Sequence, residues 1–220
     1  MLGALLIDKP AGITSHDVVV RVRRVLGERS VGHTGTLDPF ATGLLVVLVG
    51  RATRLARFVE RRSKTYLATA RLGVRTDTDD ATGRVIDDAG RAPGTVSRDE
   101  VAAALAALTG TCAQRPPAYS AKKVQGERSY RLARRGAAPE LAAVEVTVER
   151  LELAAFDPPH VTFRAVVSAG TYVRAIGRDL GERLGTGAHL TALRREAIGD
   201  LRVEDAVPLD ALSPGTPLLE

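Results

Sequence analysis

Tryptophan is absent from this 220-residue chain, and cysteine occurs once, at Cys112. A lone cysteine excludes an internal disulfide framework and any metal site built from several thiolates. The four histidines (His16, His33, His160, His189) are scattered, with no HExxH-like pair to hold zinc. Neither a GxSxG elbow nor a GxxxxGK[ST] loop occurs, which argues against a serine hydrolase and a P-loop NTPase. No apolar run approaches the roughly 18 residues of a membrane span. The N-terminal MLGALLIDKPAG carries only a short apolar run and no basic leader, so a cytoplasmic address is expected.

What remains is ordinary in bulk and uneven in detail. Hydrophobic residues make up 45% and charged residues 26%, the balance of a globular chain long enough to bury one sizeable core. Lys and Arg outnumber Asp and Glu by 31 to 26, a formal +5. The excess is clustered. Arg51, Arg54, Arg57, Arg61, Arg62 and Lys64 share their stretch with a single acid, Glu60. A second group, Arg115, Lys122, Lys123, Arg128, Arg131, Arg134 and Arg135, has only Glu127 against it. Such clusters fit either a phosphate-binding footprint or a solvated face.

The chain reads as mixed α+β, with a mixed, largely antiparallel sheet flanked by helices. GALLID (Gly3 to Asp8) and LLVVLVG (Leu44 to Gly50) predict strands. Thr14 with Asp17 makes a capping box for a helix reaching Leu26, and Ser97 with Glu100 makes another. RATRLARFVE predicts a helix with Leu55, Phe58 and Val59 inward. KTYLATARLG alternates as a strand with Tyr66, Ala68, Ala70 and Leu72 on one face. VEVTVERLELAAF and HVTFRAVVSAG read as further strands, and TYVRAIGRDLGERLG as a helix with Val173, Ile176, Leu180 and Leu184 on one side. GAHLTALRREAIG reads as a short helix or loop. Arg115 to Gly136 is an irregular basic segment that turns helical after Gly126, and the Pro-rich text beyond Val207 is a surface tail.

Between two regular segments lies GHTGTLDPFATG (Gly32 to Gly43). Glycines and a proline forbid a helix there, and its polarity forbids a buried strand. It is a scaffolded loop bearing one carboxylate, Asp38. That group can serve as nucleophile, general base or metal ligand, or it can cap a turn. An isolated aspartate nucleophile suits attack at a sugar, given a cation to keep it ionised. Arg174, in AGTYVRAIG, is a candidate for that cation or a surface helix residue. All four tyrosines (Tyr66, Tyr119, Tyr130, Tyr172) stand within three positions of a Lys or Arg, as base-stacking residues would; basics this frequent also give that spacing by chance, and Tyr66 equally fits the core as the inward residue of its strand. The acidic TDTDDATG departs from a calcium loop at Ala81 and Thr82.

SVGHTGTLDPFATGLLVVLVGRATRL closely resembles the active-site segment of the TruB family, tRNA pseudouridine synthases acting on the T-loop uridine at position 55. LLIDKPAGITSHDVV, SKTYLATARLGVRTDTDDATG, RPPAYSAKKVQGERSYRLARRG and SAGTYVRAIGRDLGERLGTGAHLTALRREAIG resemble further family motifs, in order, over nearly the whole chain. The resemblance implies a pseudouridine synthase catalytic fold and assigns the catalytic roles to Asp38, Tyr66 and Arg174. It places His33 at the substrate loop and Leu193 as the apolar wall beneath the uracil. Lys64, Tyr119, Lys122, Lys123 and Tyr172 become substrate contacts, with Lys9 and Pro10 as support for the active-site loop.

It further implies chemistry without metal or other cofactor, and tRNA, through its T-arm, as the partner. A monomer without an obligate protein partner and away from membranes is expected. Residues 1–207 are expected to form the catalytic domain, with an RNA-gripping insertion at 115–144 and a tail at 208–220. Most members continue into an RNA-binding PUA domain; none is expected here, and weaker tRNA binding with it. A synthase with another RNA target, an RNA-folding module and a nucleoside glycosidase are the competing readings.

Overall fold

The computed structural model describes residues 2–87, 90–120, 123–124, 127–129, 132, 135 and 141–219. Strands β1 (Leu2–Lys9), β2 (Val31–His33), β3 (Thr42–Gly50), β4 (Lys64–Leu72), β5 (Arg75–Thr76) and β6 (Val85–Asp87) fill the first part of the chain. β7 (Gly110–Gln114), β8 (Lys123–Val124), β9 (Glu127–Arg128), β10 (Val144–Asp157) and β11 (His160–Val167) follow. β12 (Ala188–Ile198), β13 (Leu201–Arg202) and β14 (Val207–Pro208) complete the series. The helices are α1 (Ser15–Leu26), α2 (Ala56–Glu60), α3 (Arg98–Ala107) and α4 (Val173–Arg183). Among the described residues, no helix is long and apolar enough to cross a membrane.

Two compact units divide the chain: Met1–Leu67 with Ala192–Glu220, and Ala68–Thr191. β4 and β12 contribute residues to both. In the first unit β1 pairs antiparallel with β3, β14 runs parallel to β1, and β12 runs parallel to β3. β3 is apolar almost throughout because both its faces are covered. Leu45, Val47 and Val49 point to a core shared with Leu5, Ile7, Val31 and α1's Val18, Val19 and Val22. Leu44, Val46 and Leu48 point the other way, to Leu6, Ala52, Ile198 and Val203. The capping box at Thr14 and Asp17 is formed, and Gly27 closes α1 in the left-handed conformation.

In the second unit the ladder runs β4, β11, β10, β7. β10 pairs antiparallel with both β11 and β7. α3, opened by the Ser97 and Glu100 box, packs on β10 and α4. The inward face of β4 carries Ala68, Ala70 and Leu72 in this unit and Tyr66 in the first, and Val173, Ile176 and Leu180 of α4 are buried with Leu184 just after it, both as the sequence pattern requires.

Four expectations change. GAHLTALRREAIG is strand β12, neither helix nor loop. Arg51–Leu55 is a 3-10 turn leading into a five-residue α2, and it leaves Leu55 53% and Phe58 55% exposed. Just past Gly126, Glu127–Arg128 pair with Lys123–Val124 as a short ladder, so the expected helix begins only at Ser129 and is seen again at Leu132; Lys122, Tyr130 and most of the segment expected to be helical lie outside the described residues. Beyond Val207 the chain is docked: Val207 and Pro208 pair with Ile7 and Asp8, Leu212 enters the core, and Leu219 bridges Ala4.

Candidate active site

Asp38 is half-buried, and the backbone around it is held on both sides. Ser15 Oγ, at the start of α1, receives the Leu37 N–H at 2.8 Å and donates to Leu37 O at 3.1 Å. The Pro39 carbonyl accepts from Gly12 N at 2.8 Å and from Lys9 Nζ at 3.4 Å. Asp38 O itself accepts from Ala41 N at 3.1 Å. The KPAGITS turn after β1 therefore acts as a cradle for the aspartate loop.

Lys9 is fully buried, and its ammonium donates also to Pro10 O at 2.8 Å and Ile13 O at 2.9 Å. Burial lowers its pKa to about 8, with Asp38 pulling upward against burial and Arg195 pushing the same way as burial. A lysine that senses Asp38 electrostatically belongs to the site. Pro10, beside it, is exposed and turns the chain.

A second brace comes from β12. Arg195 is 1% exposed; its Nε donates to Leu44 O at 2.7 Å and its Nη2 to Gly35 O at 3.2 Å. Its strand can lie this close because residue 43 is glycine at φ +101, where a Cβ would strike the Arg195 backbone. Nothing in the sequence reading selected Arg195 or Ser15. The signal for Arg195 was its place at an inward position of an alternating segment; for Ser15 there was only its nearness to the helix cap.

Leu193, two residues before Arg195 and therefore on the same face of β12, is 7% exposed. Tyr66 lies on the adjacent strand β4 and is 8% exposed. His33, half-buried, ends β2 opposite Val47. Lys64, expected to contact substrate, is buried: its Nζ donates to Glu60 O at 2.5 Å and Arg62 O at 2.6 Å. Burial, then the Arg195 charge, lowers its pKa to about 8. Its ammonium serves the turn after α2 and is not presented as a phosphate contact.

The second unit holds Arg174, on the first turn of α4 and 4% exposed. Its Nη1 donates to Thr78 O at 2.7 Å and lies 3.3 Å from Asp80 Oδ2; its Nη2 donates to Tyr119 O at 2.8 Å. Asp80, also unselected by the sequence reading, is held by the Thr78 and Thr82 hydroxyls and the Thr82 N–H. The acidic turn thus receives an arginine. Tyr172 caps α4, its backbone clasped by Gln114 through bonds of 2.8 and 3.2 Å. Tyr119 is half-exposed; Lys123 sits on β8, and Lys122 is outside the described residues. Among the described residues, no group of three His, Cys, Asp or Glu side chains gathers as a metal site.

The fold is similar to that in the Cbf5–Nop10–Gar1 complex, with a TM-score of 0.72 and 29% identity, over 94% of this chain and 52% of that one. An H/ACA RNP bound to a substrate RNA containing 2′-deoxyuridine gives 0.71 and 27%, over 94% and 51%. The mixed α+β architecture, with its braced aspartate loop, is of the pseudouridine synthase class.

Residues 23–173 match the TruB family pseudouridylate synthase N-terminal domain, and residues 174–215 the tRNA pseudouridylate synthase B C-terminal domain. Identity to tRNA pseudouridine synthase B of Thermobifida fusca is 50% over 219 residues, covering 96% of this chain and 74% of that protein. The same protein of Gloeobacter violaceus gives 50% over 219 residues, covering 98% and 74%. The chain belongs to the TruB family of pseudouridylate synthases.

Proposed function

We propose that the chain converts the T-loop uridine of tRNA, at position 55, to pseudouridine, with Asp38 acting on the ribose. As a member of its family it is a tRNA-modifying isomerase. The observation that carries Asp38's role is the bracing of its loop: Ser15 holds Leu37, and Gly12 with Lys9 holds Pro39. A carboxylate fixed on both sides, and only half-buried, meets substrate with little reorganisation.

The reaction is redox-neutral and needs no co-reactant. The bond between uracil N1 and C1′ breaks, the uracil rotates, and C5 bonds to C1′. The C5 proton is lost and N1 gains one, so atoms and charge balance. Tyr66 packs on the uracil and takes part in removing the C5 proton; Leu193 forms the wall beneath the ring. Arg174 keeps Asp38 ionised, and His33 holds the substrate loop open. Extruding the nucleotide costs roughly a few kcal/mol of stacking. Contacts from Tyr119, Tyr172, Lys122, Lys123, the insertion at 115–144 and the exposed arginines of 51–62 offset it, so binding weakens with salt. We place the enzyme in the cytoplasm, as a monomer acting on the T-arm without an obligate protein partner.

Incubation with an unmodified tRNA transcript, without added metal or cofactor, tests this reading when pseudouridine is mapped by position. Product at the T-loop uridine is expected. Product only at other positions, or free uracil, would contradict it.

A further inference from the structure

One helical turn beyond Arg174, α4 presents a half-buried arginine, Arg178, and every nitrogen of its guanidinium is committed. Nε donates to Asp179 Oδ1 at 2.9 Å, Nη1 to Asp79 Oδ2 at 3.1 Å and Nη2 to Arg115 O at 3.0 Å. The side chains of Arg178 and Asp79 are 16% and 15% exposed. Positions four apart on a helix share a face, about 6 Å along the axis. Two segments run alongside that face, and each is bound twice. Arg174 takes the carbonyls of Thr78 and Tyr119; Arg178 takes the Asp79 carboxylate and the carbonyl of Arg115.

Asp79 adds a second observation. It is the non-glycine residue with positive φ among those described, at +59°, a conformation that aspartate adopts at a cost and that must be held by its surroundings. Its N–H reaches Thr76 O at 3.3 Å, and its carbonyl accepts from Leu190 N at 3.0 Å. This strained residue sits between Thr78 and Asp80, the two partners of Arg174 Nη1.

We propose that Arg178 is a positioning residue that sets Arg174 by fixing Asp79, and that it ties the root of the RNA-gripping insertion to the same turn. The inference rests on the proposed catalytic role of Arg174. The Arg178 fork locks the left-handed step at Asp79, which aims the Thr78 carbonyl and the Asp80 carboxylate at the Arg174 guanidinium. The contact to Arg115 O means that a shift of the 115–119 segment on RNA binding is felt at both arginines. RNA capture and the setting of Arg174 thereby become one mechanical event. A lysine at 178 offers a single ammonium in place of the fork and cannot serve three acceptors in this arrangement.

Single-turnover pseudouridine formation, with enzyme saturating an unmodified tRNA transcript, is the measurement. It is made for wild type, Arg178→Gln, Asp79→Asn and the double variant, with thermal midpoints in parallel. Each single variant is expected to slow the step about 10- to 100-fold, the scale of a displacement near 1 Å. The double variant is expected to be no slower than the slower single one, because both remove the same link. Asparagine tolerates the left-handed backbone, so Asp79→Asn carries the test if Arg178→Gln does not fold. Wild-type rates in the folded single variants, whatever happens to the thermal midpoint, would overturn the proposal, as would multiplicative losses in the double. Wild-type enzyme without product would remove the functional reading, and this inference with it; product from wild type with unaffected variants would remove this inference alone.

Discussion

Lys9 shows how one residue couples the loop to the solvent's pH. Its ammonium is buried with three carbonyl acceptors, and burial lowers its pKa to about 8, against about 10.4 in an unfolded chain. Between those values the unfolded state holds the proton that the folded state has released. Stability therefore rises with pH over that window, and the cost of burying the charge is fully present below about 8. Lys64 contributes with the same sign. Lys9→Met should flatten the rise in urea midpoint between pH 8 and 10 without abolishing it, and should lower stability at pH 7 by leaving Ile13 O and Pro10 O without their donor. Identical slopes in wild type and variant would contradict this account. Residue identity at the loop was legible from the sequence because the glycines and proline of GHTGTLDPFATG bar a helix, although its two ends, Gly32–His33 and Thr42–Gly43, are taken into β2 and β3. The braces were less so: a serine beside a helix cap and an arginine inside a strand look like surface residues until the fold is known.

At the scale of elements, the pairing of β3 with β12 places Leu193 and Arg195 beside the aspartate loop. β12 was misread because the inward series Leu193, Arg195, Ala197 carries a charge at its centre. A buried arginine breaks the apolar alternation by which a strand is recognised. Leu55 and Phe58 were misplaced for a different reason. The turn at Arg51–Leu55 is 3-10, with three residues per turn in place of 3.6, so an apolar face counted at α-helical spacing rotates away from the core. Phe58 ends under the Arg57 guanidinium, 4.7 Å from the ring centroid. Strands and helices with clean periods or capping boxes, α1, α3, β3, β4 and β10, were all readable. Gly43 supplies the test at this scale. Gly43→Ala must force the backbones of β3 and β12 apart, and should cost about 2–4 kcal/mol in denaturant unfolding. Gly12→Ala, also at positive φ but with open space around a Cβ, should cost only about 1–2 kcal/mol. Equal losses would show that the close approach at Gly43 is unimportant.

For the molecule as a whole, the first unit carries Asp38, Tyr66 and Leu193, and the second carries Arg174 with its acidic turn. The family motifs made the order of these parts plain along the chain. They did not reveal that Arg174 is held by Asp80 and Tyr119, since TDTDD looks like any solvated acidic turn until an arginine is found against it. The chain spans 74% of the length of two relatives that share half its residues. In the proposed function the chemistry turns on Asp38, assisted by Tyr66 and Arg174, while tRNA binding rests on other groups. Asp38→Asn, isosteric and uncharged, separates the two most directly. With tRNA transcript, the account predicts loss of pseudouridine at the T-loop uridine, with salt-sensitive tRNA binding retained. Pseudouridine formation by Asp38→Asn at the wild-type rate would contradict it.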